Sequence, residues 1–346
     1  MENREKYLSF VVPCYNSESY MARCIESLLP GGEDVEIIII DDGSKDKTGE
    51  IADAYQKQYP DLVKVIHKEN GGHGSGVNAG LACARGVYFK VVDSDDWLDG
   101  TAYQKLLEKI RYYCKEAGEG EEKPDLFVCN YVYNHLEQQI TRSMGYGNVF
   151  PAEKICPWSE TGHFLPSQYL VMHALVYRTE ILLQSGIVLP EHTFYVDNLF
   201  AYCPLPYVRN IFYMDIDLYQ YYLGRDDQSV NETVMISRID QQLSVNKRMI
   251  DSFISENPQN INCRKYMINY LRIMMEVSSI FLIVSGTKEH LAKKKALWQY
   301  AKDKDEVLYK KLRHSLLGWS VNIPTSAGRW ISKQGYKIAN NIIGFN

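Results

Sequence analysis

The first hundred residues alternate between short apolar runs and amphipathic stretches. Four runs have strand length and are apolar on both faces: residues 7–15, 35–40, 62–67 and 87–92. Four stretches between and after these runs predict helices: residues 17–29 with Ser17 as N-cap, 48–58, 74–85 and 100–115. Strands of this kind alternating with helices predict an α/β fold with a mostly parallel, Rossmann-like sheet covered on both sides.

The remainder of the chain has a less regular pattern. One more strand is predicted at residues 125–134. Few Pro or Gly interrupt residues 237–317, which predict helices, and residues 326–343 predict a final amphipathic helix. We therefore expect two domains: residues 1–232, which contain the sheet, and residues 233–346, a helical C-terminal region.

Polar motifs follow three of the predicted strands at the point where each strand ends. They read PCYN at residues 13–16, DDGS at residues 41–44 and DSDD at residues 93–96. Ligands bind at the carboxyl ends of the strands in open α/β sheets. Three polar strand ends at one edge therefore predict a binding site.

The DSDD motif places three carboxylates within four residues. Such a cluster is costly unless a cation neutralises it, and Mg²⁺ or Mn²⁺ takes oxygen ligands from carboxylates and phosphates. The pattern favours a divalent-cation site. The alternative is a solvated acidic turn in which Asp96 or Asp99 caps the next helix.

Residues 69–80, ENGGHGSGVNAG, follow the third predicted strand. Glycines allow a close backbone approach to a ligand, and the N–H groups at the start of the next helix suit a phosphate. The Lys-Ser/Thr pair of a Walker A loop is missing, and no GxGxxG follows the first strand, which argues against an NAD-dependent oxidoreductase. The alternatives are a generic Gly-rich turn here, with His73 as a hydrogen-bonded turn residue, and an ordinary Asx-turn at residues 41–44.

Together, VPCYN, DDGS, ENGGHGS and VDSDD resemble the family 2 glycosyltransferases with the GT-A fold, of the bacterial polysaccharide-biosynthesis type. The resemblance is specific in motif, order and spacing over residues 7–100 and looser as far as residue 230. It implies a nucleotide-sugar donor, usually a UDP-sugar, bound with Mn²⁺ or Mg²⁺.

The resemblance also implies roles for single residues. Pro13 and Tyr15 match positions beside the uracil ring, and Asp42 matches the position that bonds the base. In the DxD motif, Asp95 matches the direct metal ligand and Asp93 lies nearer the ribose. Asp96 is a second candidate for the metal. The full sets are, for metal, Asp95, Asp93 and Asp96, and, for the nucleotide-sugar, Pro13, Tyr15, Asn16, Asp42, Gly72, His73, Asn78, Asp93, Ser94 and Arg225.

One segment departs from the family pattern, and another resembles a loop of the family beyond residue 220. Many family members carry Ala-Arg-Asn where this chain has Gly76, Val77 and Asn78, so no cationic residue is assigned there. Residues 221–230 resemble the loop after the last sheet strand, in which Arg225 reaches the diphosphate and Gln228 or Ser229 closes over the donor. A polar surface turn is the alternative.

The segment FYVDN at residues 194–198 resembles the acidic motif that supplies the family's catalytic base. The chemistry needs a carboxylate that takes the acceptor hydroxyl proton as the hydroxyl attacks the sugar from the face opposite the leaving diphosphate. Many members have Glu-Asp, whereas this chain has Val196 and Asp197, so only Asp197 can serve. The alternative is that Asp197 caps the helix that begins near Asn198.

Charge is unevenly placed along the chain. Residues 288–346 hold 12 Lys+Arg and 4 Asp+Glu, although the whole chain has a net charge of −5. A basic amphipathic helix fits an anionic membrane surface, and a helix packed on the protein with a solvated basic face is the alternative. No nucleic-acid-binding motif occurs.

The location of the protein is predicted from three features. The polar start predicts no signal peptide, and the longest apolar run, residues 277–284, is too short to span a bilayer. Eight scattered cysteines without a CxxC pair are typical of reduced thiols. We expect a cytoplasmic protein, peripheral on the inner face of the cell membrane if the basic helix binds lipid.

The expected function is that of an inverting, metal-dependent glycosyltransferase. It moves a sugar from a UDP-sugar to a hydroxyl of a glycan or lipid-linked acceptor in cell-surface polysaccharide synthesis, with Asp197 as the base. The alternative is a non-catalytic nucleotide-sugar-binding module that partners another transferase.

Overall fold

A computed structural model describes residues 6–334, apart from residues 119, 136–137, 167, 225–231, 324, 326–327, 329 and 331. The chain divides into two compact units. The first comprises Met1–His163 and Leu170–Leu223, and the second comprises Phe164–Tyr169 and Gly224–Asn346. The second unit therefore takes in a short segment from the middle of the chain as well as the C-terminal part.

The first unit contains a sheet and six helices among its described residues. Its strands are β1 (Lys6–Cys14), β2 (Val35–Asp41), β3 (Val63–His67), β4 (Gly86–Val91), β5 (Trp97–Leu98), β6 (Leu126–His135), β7 (Ile140–Met144), β8 (Ile155–Pro157), β9 (Leu175–Arg178) and β10 (Asn210–Leu223). Its helices are α1 (Met21–Leu28), α2 (Thr48–Gln58), α3 (His73–Cys83), α4 (Gly100–Arg111), α5 (Thr179–Gln184) and α6 (Asp197–Tyr202).

The sheet has the strand order β3-β2-β1-β4-β9-β6-β10-β5, with β7 beside β6 and β8 beside β10. The four strands β3, β2, β1 and β4 are all parallel, and β6 is parallel to β10. Strand β9 lies antiparallel between β4 and β6. The predicted α/β fold with a mostly parallel sheet is confirmed.

The central strand β2 shows why this half of the sheet is parallel and covered on both faces. Every residue of β2 is buried, including its one polar interior residue, Glu36. The Glu36 carboxylate accepts hydrogen bonds from Ser9 Oγ at 2.6 Å and from Arg85 Nε at 2.9 Å. A buried charge with these partners is compatible with an otherwise apolar strand.

Two predicted helix caps have different outcomes. Ser17 was expected to cap the first helix, but α1 begins at Met21 with Tyr20 at the N-cap position, so this prediction is wrong. The Ser17 hydroxyl instead bonds with the hydroxyl of Ser94 at 2.8 Å. Asp99 caps α4, since its Oδ1 accepts the N–H of Ala102 at 2.9 Å.

Strand β10 is irregular where it passes the carboxyl end of β4. Its pairing with β6 shifts register between Met214 and Asp217 and again between Asp217 and Tyr219. A bulge re-aims the side chains that follow it. Tyr219, just beyond the bulge, is fully buried and bonds to the DSDD motif.

The second unit is helical. Its helices are α7 (Glu232–Ser237), α8 (Ile239–Glu256), α9 (Ile261–Ser285), α10 (Lys288–Lys304), α11 (Glu306–Arg313) and α12 (Leu316–Ser320). The long helix α9 also holds the segment Phe164–Tyr169. The Phe164 and Tyr266 rings lie 4.2 Å apart, and the Tyr169 and Tyr270 rings lie 4.8 Å apart.

Within the part of the chain that the structure describes, α9 is the one helix whose length and composition would allow it to cross a membrane. Its most apolar stretch has a mean hydropathy of 1.6, and 67% of that stretch is buried. It also carries polar groups with partners inside the unit, such as Ser278, which accepts from Asn246 Nδ2 at 2.7 Å. A buried core helix has these same properties.

Several basic side chains of the C-terminal region are engaged within the second unit. Lys293 pairs with Asp240 at 2.9 Å, Lys304 pairs with Asp251 at 2.9 Å, and Lys333 donates to a backbone carbonyl at 2.9 Å. Most of the predicted helix at residues 326–343 lies outside the described residues. Membrane binding by that helix therefore stays a prediction.

Candidate active site

The three polar strand ends lie together at one edge of the parallel half of the sheet. The N–H of Asp42, after β2, donates to the carbonyl of Cys14 at the end of β1, at 2.9 Å. The N–H of Val92, after β4, donates to the carbonyl of Val11 in β1, also at 2.9 Å. The structure therefore brings the three motifs side by side, as the sequence predicts.

The loop after β1 joins the DDGS turn. Asn16 has a positive φ of 50°, its Oδ1 accepts the N–H of Lys45 at 2.8 Å, and its own N–H donates to Ser44 Oγ at 3.1 Å. Pro13 is buried, whereas Tyr15 is 52% exposed. The Tyr15 ring is thus accessible for stacking, and the Asn16 side chain holds two loops together.

Asp42 organises the Gly-rich turn. Its Oδ1 accepts the N–H of Gly71 at 2.9 Å and the Lys68 ammonium at 2.7 Å, and its Oδ2 accepts the N–H of Gly72 at 2.7 Å. Two N–H groups of the Gly-rich turn therefore face a carboxylate of the protein. The predicted role of Asp42 towards a base stays a prediction.

Asp93 lies between two imidazoles. His73, the first residue of α3, places Nε2 2.8 Å from Asp93 Oδ1, and His173 places Nε2 3.3 Å from Asp93 Oδ2. Burial opposes ionisation, but the two imidazoles outweigh it and hold the pKa of Asp93 well below its ordinary value. Asp93 in turn raises the pKa of His73 against the effect of burial.

Asp96 is fully buried beneath this pair. Its Oδ2 accepts the Tyr219 hydroxyl at 2.6 Å, and its Oδ1 accepts the N–H of Tyr222 at 2.8 Å. The Tyr219 hydroxyl also accepts the backbone N–H of Asp93 at 3.1 Å, so it links the Asp96 carboxylate to the backbone of Asp93. Burial, with the like charges of Asp95 and Asp93, raises the pKa of Asp96 well above its ordinary value.

The backbone of the DSDD turn is held by a cation from α1. Arg23 Nη2 donates to the carbonyl of Asp95 at 2.9 Å, and its guanidinium lies 3.8 Å from the centre of the Trp97 ring. Ser94 bonds to Ser17, as described above. The turn that carries the predicted metal ligands is therefore fixed on both sides of Asp95.

His173 is the main site residue that the sequence analysis missed. It lies in the short 3₁₀ turn Met172–Ala174, just before β9, in a region without a motif. Its ring stacks on Tyr221 with centroids 4.6 Å apart and meets the Tyr219 ring edge-on at 4.6 Å. Its Nε2 is buried and makes no aligned hydrogen bond to the described residues.

Asp93, Asp96 and His173 can hold a divalent cation. One ligand atom from each lies within 4.8 Å of the others. Two carboxylates with the Nε2 of His173 form a donor set that suits Mn²⁺. A bound divalent cation would also offset the like charges that help to raise the pKa of Asp96. Asp95, predicted as the direct ligand, lies outside this group of three.

Asp197 is the first residue of α6. The N-cap position belongs to Val196, so the alternative in which Asp197 caps this helix is wrong. Burial raises the pKa of the Asp197 carboxyl, and the nearby His173 and His73 oppose that rise. The Asp197 carboxylate therefore lies within electrostatic range of both histidines.

Two other predicted residues have different outcomes. Asn78, in α3, uses its side-chain amide on the backbone of Leu189. Arg225, with Gln228 and Ser229, lies outside the described residues.

Comparison with known proteins identifies the part of the chain that carries the strand-end motifs. A family model described as glycosyl transferase family 2 matches residues 9–117. The uncharacterized glycosyltransferase EpsJ of Bacillus subtilis (strain 168) is 43% identical over 103 residues, 30% of this chain and 30% of EpsJ. Residues 9–117 are therefore similar to glycosyl transferase family 2.

A second relative is similar over a somewhat greater length. Glycosyltransferase GlyG of Streptococcus pneumoniae serotype 4 (strain ATCC BAA-334 / TIGR4) is 37% identical over 132 residues, 38% of this chain and 40% of GlyG. The chain thus spans less than half the length of these two curated relatives. The similarity covers β1 to α4, the segment that holds the strand-end motifs.

A solved structure shares the fold over most of the chain. The crystal structure of S. aureus TarS 1-349 superposes with a TM-score of 0.68 and 18% identity, covering 96% of this chain and 92% of the TarS chain. The structure of TarS 1-349 in complex with UDP-GlcNAc superposes with a TM-score of 0.51 and 20% identity, covering 89% and 91%. The chain therefore has the GT-A fold that TarS shares, followed by C-terminal helices.

Proposed function

We propose that this chain transfers a sugar from a nucleoside diphosphate sugar to a hydroxyl group, with inversion at the sugar carbon. The observation that carries the proposal is the meeting of two groups at one sheet edge: the possible cation ligands Asp93, Asp96 and His173, and the carboxylate Asp197. A leaving diphosphate needs a cation, and an attacking hydroxyl needs a base. The match of residues 9–117 to the glycosyl transferase family 2 model supports this reaction class.

The donor is proposed to be a UDP-sugar. TarS, which shares the fold, has been crystallised with UDP-GlcNAc. Tyr15, exposed directly after β1, offers a face on which a base stacks, and the N–H of Asp42 bonds to the carbonyl of Cys14, the residue before Tyr15. A bound Mn²⁺ or Mg²⁺ would neutralise charge on the diphosphate. The imidazole of His73, which contacts Asp93, adds a hydrogen-bond donor at the proposed cation site.

Asp197 is proposed to remove the acceptor proton. A general base works best when its pKa approaches the working pH, and burial raises the pKa of Asp197 in that direction. We expect turnover to fall as the pH drops through this raised pKa, because the protonated carboxyl accepts no proton. The acceptor is proposed to be a hydroxyl of a glycan or lipid-linked intermediate in cell-surface polysaccharide synthesis.

Turnover of UDP-, GDP- and dTDP-sugars with Mn²⁺ tests the proposal, with Asp197→Asn compared to Asp61→Asn, a matched change at an exposed carboxylate. We expect Asp197→Asn to bind UDP normally and to lose transfer by about 10²–10⁴-fold, the range for a general base. The Asp61→Asn control should transfer normally. Wild-type transfer rates in Asp197→Asn would exclude this carboxylate as the base.

The alternative, a non-catalytic module that binds a nucleotide-sugar, makes a different prediction. Such a module would bind UDP with Mn²⁺ but would turn over none of the three donors, with or without added acceptors. The same assay therefore separates the two functions.

A further inference from the structure

The segment that leads into Asp197 has a strained backbone. His192 and Tyr195 have positive φ values of 47° and 66°, in the left-handed region that non-glycine residues seldom adopt. Such conformations persist only when their surroundings hold them. The contacts of this segment, residues 189–196, therefore decide where Asp197 lies.

Helix α3 and the turn before it hold this segment by four hydrogen bonds, one of which runs from the Ser75 hydroxyl to the Glu191 carboxylate at 3.3 Å. Asn78 Nδ2 donates to the carbonyl of Leu189 at 2.8 Å, and Asn78 Oδ1 accepts the N–H of the same residue at 3.0 Å. The N–H of His192 donates to the carbonyl of Gly71 at 2.6 Å. An Asn side chain offers a donor and an acceptor from one planar amide, so it pairs with one residue's backbone as a neighbouring strand would.

The glycines of the turn make room for the same segment. A Cβ on Gly74 would lie 2.8 Å from the carbonyl oxygen of Pro190 and 2.9 Å from Leu189 Cβ. A Cβ on Gly72, whose φ is +82°, would lie 3.1 Å from the backbone nitrogen of His192. The Gly-rich turn, which the sequence suggested for a phosphate, is thus shaped around part of the protein.

One helix start therefore serves both functional carboxylates. His73, at the beginning of α3, bonds to Asp93, while Asn78, one and a half turns later, holds the segment that carries Asp197. We infer that Asn78 is a positioning residue, which fixes Asp197 relative to Asp93 through the backbone of Leu189. This inference rests on the proposed function of Asp197 as the base.

The experiment compares Asn78→Ala with the isosteric Asn78→Asp, which keeps an acceptor for the Leu189 N–H but loses the donor. A displacement near 1 Å costs up to about 10²-fold in rate, so we expect kcat to fall about 10–100-fold in Asn78→Ala. Donor KM and UDP affinity should stay within about twofold, since only the base has moved. The kcat of Asn78→Asp should lie between those of the wild type and Asn78→Ala. If the alanine variant does not fold, Asn78→Asp is compared with the wild type alone.

A double-mutant cycle adds a result that general loosening of the fold would not give. If Asn78 acts through Asp197, the fold-loss in kcat caused by Asn78→Ala should vanish in the Asp197→Asn background. An equal loss in both backgrounds would overturn the inference. Weakened UDP binding with unchanged kcat would also overturn it and would return Asn78 to donor binding.

Hydrogen exchange separates this inference from the proposed function. In Asn78→Ala the amide of Leu189 loses its acceptor, so a peptide covering residues 186–197 should exchange faster than in the wild type. Unchanged exchange would overturn the inference without touching the proposed chemistry. Normal transfer by Asp197→Asn would overturn the proposed base, whatever the exchange result.

Discussion

A buried lysine below the site gives a quantitative prediction. Lys90, in β4, is fully buried, and its ammonium donates to the carbonyl of His173 at 2.7 Å and lies 5.0 Å from the centre of the Tyr219 ring. Burial lowers the pKa of Lys90 from 10.5 to about 8, against the attraction of Asp93 and Asp96. The perturbation we propose is Lys90→Met, which keeps most of the length of the side chain and removes its charge.

The sign of the effect follows from proton binding. The pKa of Lys90 is lower in the folded chain than in the unfolded chain, so between pH 8 and pH 10.5 the unfolded chain binds more protons. The free energy of unfolding therefore rises with pH in this window and is lowest, for this group, below pH 8. Between pH 7 and pH 9.5 the gain from Lys90 amounts to about 2 kcal/mol.

The assay is urea unfolding of wild type and Lys90→Met in chelator, at pH 7 and at pH 9.5. Other groups titrate in both proteins, so the difference between the proteins isolates Lys90. From pH 7 to pH 9.5, we expect the free energy of unfolding of the wild type to rise by about 2 kcal/mol more than that of Lys90→Met. The lost hydrogen bond to His173 changes the offset between the two proteins but not this slope. Parallel pH dependence would refute a lowered pKa for Lys90.

Three further predictions concern the candidate site. In His173→Ala, Mn²⁺ affinity measured by electron paramagnetic resonance should fall by at least tenfold, because even outer partners of metal ligands contribute about 10–100-fold. Unchanged affinity would show that His173 is not part of the cation site. Tyr219→Phe removes the hydroxyl bonded to buried Asp96 and should cost about 2 kcal/mol of unfolding free energy, whereas no loss would show that water replaces it. Tyr15→Ala should weaken UDP binding, measured by calorimetry, about 5–100-fold because the stacking face is lost. Tyr112→Ala, at another exposed tyrosine, is the control and should bind UDP normally.

Local pattern was enough to predict the sheet and the edge where the site lies. The run VEIIII at residues 35–40 is apolar on both faces, which only a covered strand tolerates, and β2 is buried throughout. Parallel strands connected by helices end at the same edge, so the motifs after β1, β2 and β4 had to meet there. Helix α2 was also predicted with its observed bounds, since its period and flanking turns are local.

Side-chain partners distant along the chain were decided only by the tertiary structure. His173 lies in a region without periodicity, and nothing in its neighbours pointed to Asp93, 80 residues earlier. Asn78 sits in a motif that suggested a ligand, yet its amide pairs with a backbone 111 residues away. Sequence period tells which face of an element is buried, but the packing of β9, β10 and residues 189–196 determines which side chains meet, because those contacts form between separate elements.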